Sequence, residues 1–380
     1  MAGETEMVVR VDRTGSVTRL ASLLAELEGN ETIAGILLLA CDENGFQPHQ
    51  VDDLLLGVTK PIFGGVFPQI VHEYENLSLG TIAVGLTRLP HVLTVPGLSD
   101  PAFDFDTFFD AHTAQMGHGQ TMFVWVDGLS ERVGELIESL YHIFGLEYTY
   151  IGGGAGSLSF DQKPCLFTNQ GLIGDSAVLA VLDSLSGVGV SHGWSSISGP
   201  YKVTHSTGSV IHSLNWRPAF DVYAEAIAQN GGPVVTRENF AALSKSHPFG
   251  IIQLGGETVV RDPIVLREDG ALVCVGDVSQ ESHVDILTGD PLSLIEAARK
   301  AFASGQAAFG ESEPSALTFF VDCITRVLFL DKEFDQELAA VHSPGKPLVG
   351  VLSLGEVANS GHSCLEFYNK TAVVGILGVV

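Results

Sequence analysis

Apolar runs of strand length, punctuated by glycine, constrain this chain more than any other feature. Ile36 to Ala40 and Met122 to Val126 carry no polar residue, and Leu317 to Val321 carries one. Such runs fit strands buried on both faces better than strands with one wet face. The composition agrees: 45% of the residues are hydrophobic and only 17% are charged. A disordered chain shows the reverse balance. With 380 residues there is ample material for a core, and the length suggests two domains.

Helical periodicity separates these runs. Val17, Leu20, Leu24 and Leu27 share a face of a helix over Ser16 to Glu28, which Gly29-Asn30 stops. Val133, Leu136, Ile137, Leu140, Tyr141 and Phe144 recur at 3.6-residue spacing and end at Gly145. Asp290-Pro291 is a helix start, with a capping side chain followed by proline at the first position. A further helix follows Arg217-Pro218 and runs to about Ala228, and the break Gln229 to Pro233 marks a boundary region. Shorter strands are expected at Tyr148 to Ile151, Cys165 to Thr168, Ala177 to Leu182, Val188 to Val190, Leu348 to Leu352, Glu366 to Tyr368 and Ala372 to Ile376. Helices alternating with strands on hairpin-length turns predict an α/β (α+β) fold. It has two layered domains with mixed, largely antiparallel sheets flanked by helices. No short-period repeat is visible.

Charge narrows the partners. Asp plus Glu number 45 against 19 Lys plus Arg, a formal net charge of -26. That balance repels nucleic acid and anionic membrane surfaces. The five cysteines are widely spaced and form no CxxC pair, so no zinc or redox motif is indicated. The start, Met1 to Glu6, is acidic where a secretory signal would be basic, and no apolar run approaches the ~20 residues of a membrane helix. The expectation is a soluble, cytoplasmic protein with reduced thiols.

Scarce polar groups in an apolar chain mark the candidate site. Gly152 to Gly154, Ala155 and Gly156 follow an expected strand. They lack the spacing and following helix of a dinucleotide loop, and read as a strand-to-loop turn with close backbone packing. Their amides are nevertheless candidates for cradling a carboxylate. His192 and Trp194 sit in a Ser-His-Gly-Trp turn, His192 as a ligand contact or a histidine satisfied by backbone, Trp194 as an apolar wall. His205 and His212 would lie on opposite faces of one extended strand, unless Gly208 turns the chain and lets them share a metal. Cys323 stands beside Asp322 and near Arg326, a setting for a reactive thiol or a buried strand-end cysteine. Arg217 and Arg326 are candidates to hold a carboxylate, and Glu356 to hold an ammonium or act as a base. No nucleophile elbow or HExxH pattern completes a catalytic set.

Taken in order, Gly152-Gly-Gly-Ala-Gly-Ser157, Val190-Ser-His-Gly-Trp194 and Asn215-Trp-Arg-Pro-Ala-Phe-Asp-Val-Tyr223 resemble the FIST family, as do Asp322-Cys-Ile-Thr-Arg326, Gly355 to Gly361 and Asn369-Lys-Thr371. The resemblance implies a FIST-N domain over residues 1–220 and a FIST-C domain over residues 221–380. It also implies a sensory module for small ligands, with amino acids the usual suggestion. Similar bacterial proteins bind haem, sense nitric oxide and work with histidine kinases, and His192 is the best-placed candidate for a haem ligand. The expected site residues are Gly153, Gly154, Ala155, Gly156, His192, Trp194, Arg217, Cys323, Arg326, Glu356 and Asn369. With no kinase, cyclase or F-box segment in view, output is expected to pass through a separate partner. Two alternatives stand beside the ligand-binding reading: a haem-based gas sensor and an enzyme using Cys323 or Glu356.

Overall fold

The computed structural model describes residues 7–252, 257–311, 314–359 and 364–380. The predicted strands and helices are largely present, and the protein is α+β with layered, mixed, mainly antiparallel sheets. Their connectivity contains an order that sequence spacing does not display. One pattern occurs three times: strand, helix, strand, helix, parallel strand, hairpin, final antiparallel strand.

In the first unit the pattern runs through Val8–Asp12, helix Val17–Glu28, Gly35–Cys41, helix Pro48–Leu56, Ile62–Phe67, the hairpin Gln69–His72/Glu75–Leu77, and Thr81–Leu86. The second runs through His91–Pro96, Phe105–His112, Thr121–Asp127, Val133–Phe144, Thr149–Ala155, Leu166–Thr168/Gly171–Ile173 and Ser176–Leu182. The third uses Ser186–Ser191, Pro291–Phe309, Leu317–Cys323, the helices Ile324–Leu330 and Phe334–Val341, Leu348–Ser353, Glu356–Ala358/Glu366–Tyr368 and Ala372–Leu377. Each unit forms a sheet around its parallel pair, such as Asp127 opposite Ala155 or Cys323 opposite Ser353. Each hairpin joins another unit's sheet. The first unit's hairpin pairs Val71 with Gly350, the second's pairs Leu166 with Gly65, and the third's pairs Glu356 with Gly153. The exchange is cyclic, so no unit completes its sheet alone.

The three sheets enclose one core. Phe63 of the first lies 5.7 Å from Phe123 of the second, which lies 5.3 Å from Phe319 of the third. Trp125 packs between Phe67 and Phe319. Helices cover the outer faces: Phe105, Phe109, Leu136 and Leu140 pack on the second sheet, and Leu294, Ala298, Leu330 and Leu338 on the third. The apolar runs are therefore buried on both faces, as their composition requires.

Between Ser191 and Pro291 the third unit is interrupted by a second body. Its strands form one sheet whose two ends are the consecutive segments Val259–Arg261 and Pro263–Leu266. The sheet thus closes into a barrel, with Asp262 at the seam. Helix Ala219–Gln229 packs Val222, Tyr223 and Ile227 against the barrel interior. Of the long strand Ser195–Thr207 the sequence patterning announced only the part around His205, and the strand His283–Thr288 it did not announce. Their alternation is weak because the strand is bent by register shifts.

The run Gly152 to Gly154 is strand, not a loop after Ile151. Close packing is the reason for glycine: a Cβ on Gly152 would stand 1.9 Å from the Val124 carbonyl oxygen, and one on Gly154 2.4 Å from that of Leu354.

Candidate functional site

The carboxyl ends of the parallel pairs are where polar groups collect, the usual place for a ligand in sheets of this kind. The threefold pattern supplies an internal comparison there. In each unit the residue just before the final strand donates its amide to a side chain. Gly80 N donates to Asn44 Oδ1 at 2.8 Å, Asp175 N to Asp127 Oδ2 at 2.8 Å, and Thr371 N to Glu356 Oε2 at 3.2 Å. The first two sockets are well filled. Asn44 donates back to Gly80 O at 2.7 Å, and Asp127 also accepts from Leu129 N and Gln162 Nε2. The third is different. Glu356 accepts from Ser353 Oγ and Thr371 N, both at 3.2 Å, and lies fully buried against the Cys323 thiol. Burial pushes its carboxyl up to about 8, and the Thr371 and Ser353 hydrogen bonds recover only part of the loss. Burial also pushes the Cys323 thiol up to about 12, with the Glu356 carboxyl adding to it. A thiol so placed is protonated at neutral pH and is not an activated nucleophile.

Around this acid the structure brings together several residues marked in the sequence. Gly153 pairs directly with Glu356. Asn369 lies two residues before Thr371, with its Oδ1 accepting from Arg261 and its buried Nδ2 without a partner among the described residues. Trp194 donates from its indole to Lys370 O at 3.1 Å and packs on Phe329. His192 adjoins through Arg326, whose Nη1 donates to His192 O at 2.7 Å.

Other residues are placed for different work. The amides of Gly154 and Gly156 donate to Gly355 O and Val66 O, so these two are not available to a carboxylate, and Ala155 is a buried strand residue. Arg326 is entirely buried and its donors are committed to Asp322, Glu337, His192 O and Leu294 O. Burial costs the guanidinium, but Glu337 and Asp322 hold it charged. Burial pushes both acids up, and one cation between them balances one negative charge. Arg326 is a clamp joining two helices and the His192 turn. Arg217 lies on the barrel exterior, paired with Glu225. His205 and His212 do meet, because the hairpin turns at Gly208 and stacks their rings 4.4 Å apart. Among the described residues no group of three or more His, Cys, Asp or Glu is placed to hold a metal ion.

His192 does not suit a haem iron. Its Nδ1 accepts from Trp194 N at 2.8 Å, which leaves the ring proton on Nε2, the atom that would have to ligate. Burial lowers its pKa to about 4, so the ring stays neutral. Its Nδ1 is satisfied by backbone, and its Nε2 lies 3.7 Å from the Glu257 carboxylate.

Sequence reading passed over Ser353, Arg261, Asp262 and Glu337. Only the i, i+4 spacing of Asp322 and Arg326 offered a local signal. The others are joined by tertiary contacts. The far end of Gly355 to Gly361 lies outside the described residues. Two cavities lie elsewhere, one of about 570 Å³ beside Phe103, Asp104 and Arg132, the other of about 870 Å³ beside Val8, Arg10, His72 and Lys346.

Fold and site together define an α+β protein of three interlocked sheets, with an inserted barrel and the buried acids Glu356, Asp322 and Glu337 gathered at the carboxyl ends of the third unit's strands. A FIST N domain model matches residues 35–217 and a FIST C domain model residues 219–359, so the two meet inside the barrel. The chain belongs to the FIST family, whose domains are sensory modules of signal transduction. A comparison with curated proteins found no match. Among the described residues no helix is long and apolar enough to cross a membrane.

Proposed function

We propose that this protein binds a small molecule carrying an ammonium group, with an amino acid the leading class, at Glu356, and reports its occupancy to a separate signalling protein such as a histidine kinase. The single observation that carries this reading is the internal comparison. Of the three side chains that accept from the amide before a unit's final strand, Glu356 makes the longest such bond, 3.2 Å against 2.8 Å for Asn44 and for Asp127, and it is a fully buried acid. An ammonium would give the buried carboxylate a partner of opposite charge, and the Nδ2 of Asn369, without a hydrogen-bond partner among the described residues, offers a donor to a carboxylate. Cys323, Ser353 and Gly153 would line the contact, with Trp194 behind it. The raised carboxyl supports a proton-linked mode, since a cation must displace the proton that Glu356 carries at neutral pH.

Isothermal titration against amino acids, amines and small organic acids tests the reading. Binding is expected for an ammonium-bearing member, strengthening about tenfold per pH unit up to pH 8, and lost in Glu356→Gln. A folded protein that ignores the whole panel refutes it, as does a ligand whose affinity is unchanged in the variant.

A further inference from the structure

The tripeptide Asn369–Lys370–Thr371 is held from two bodies at once. On the side of the three sheets, Thr371 N is bonded to Glu356, Thr371 Oγ1 donates to Asn369 O, and Lys370 O accepts from the Trp194 indole. On the barrel side, Lys370 Nζ pairs with Asp262 at 3.1 Å and donates to Lys245 O at 3.0 Å. Arg261, adjoining Asp262 in the seam, donates to Phe367 O and to Asn369 Oδ1. Lys370 and Asp262 are almost completely buried. Lys370 also has φ +51°, a left-handed backbone that a lysine adopts only when its surroundings impose it. The barrel is inserted just beyond Ser191, the strand end that pairs with Ala372, so its root and its seam both meet the same turn.

We propose that this tripeptide is the transmission between the ligand site and the barrel: a cation that draws the Glu356 carboxyl away from Thr371 N frees the turn, and the barrel seam at Arg261–Asp262 loosens with it. The barrel is then the arm whose dynamics report occupancy. This rests on Glu356 being the ligand contact, but its test needs no ligand. The coupling is a free energy shared by two sites, so it acts in both directions. Loosening the seam must loosen Glu356, and weakening the Glu356 bond must loosen the seam.

Hydrogen–deuterium exchange on the full chain measures both directions. In Glu356→Ala, which removes the acceptor of Thr371 N, peptides covering Val259–Leu266 are expected to exchange at least tenfold faster, while Gly35–Cys41 and Thr121–Asp127 keep their wild-type rates. In Asp262→Asn, the strand Glu356–Ala358 is expected to accelerate in the same way. If Asp262→Asn does not fold, Lys370→Arg, which retains the charge but displaces it, carries that arm. Acceleration confined to the body that holds the substitution overturns the proposal, and so does uniform acceleration of all three sheets. A silent ligand panel with coupled exchange would remove the amino-acid reading and leave the transmission standing. A binding ligand with uncoupled exchange would do the reverse.

Discussion

Replacing Glu356 by glutamine isolates one ionisation and its effect on stability. Gln keeps the shape and an oxygen acceptor for Thr371 N, and it cannot ionise. In the wild type the folded carboxyl titrates at about 8 against an ordinary value of 4.5, because burial disfavours the charge. Between those values the unfolded chain has released the proton and the folded one retains it. The unfolded state binds fewer protons there, so wild-type stability falls as pH rises through the window. Each pH unit removes about 1.4 kcal/mol, roughly 5 kcal/mol across the whole window. The glutamine variant escapes this loss. From pH 6 to pH 9 its stability relative to the wild type should therefore rise by about 3 kcal/mol, nearly all of it below pH 8. Urea unfolding at pH 6, 7.5 and 9, followed by circular dichroism, reads the difference. Parallel pH profiles would mean that Glu356 ionises normally in the folded protein. A variant that loses ground with pH over this range is the opposite of what a raised carboxyl gives. Either result refutes the raised carboxyl of Glu356.

Arg326→Met strips the buried Asp322 and Glu337 of their cation and is expected to cost about 3–5 kcal/mol, visible as a large fall in thermal midpoint; an unchanged midpoint would show that the clamp is dispensable. Gly152→Ala is expected to abolish folding, since the added carbon meets backbone at 1.9 Å, whereas Gly45→Ala meets no atom and costs only about 1–2 kcal/mol for its left-handed backbone; soluble, cooperative Gly152→Ala protein would contradict the packing. Brief thiol labelling at pH 8 should modify exposed Cys364 and spare the buried Cys41, Cys165, Cys274 and Cys323; mass spectrometry finding rapid labelling of Cys323 would restore the nucleophile reading of that residue.

The legible parts of this protein were those written in local pattern. Helices Val17–Glu28, Val133–Phe144 and Pro291–Phe309 lie where the 3.6-residue stripe and stop signals put them, with Asp290 capping as its position before Pro291 implied and Ser16 a cap rather than the first helical residue. Glu356, Asn369 and Trp194 stood out because polar or aromatic groups are costly in an apolar chain without a partner. The same logic misjudged Arg326 and the amides of Gly154 and Gly156. Sequence shows that a donor exists, not whether another strand or carbonyl has already taken it.

Sequence by itself determined the buried strands, the helices between them, the glycines that admit close backbone approach, and a strongly acidic charge balance. These depend on neighbours within a few turns of chain. Tertiary structure alone decided the threefold exchange of hairpins, the closure of the barrel at Asp262, and the meeting of Glu356 with Ser353, Thr371 and Cys323. Each of those depends on register between segments far apart in the chain, where one residue of slip exchanges the inward face for the outward one, and no local periodicity encodes it.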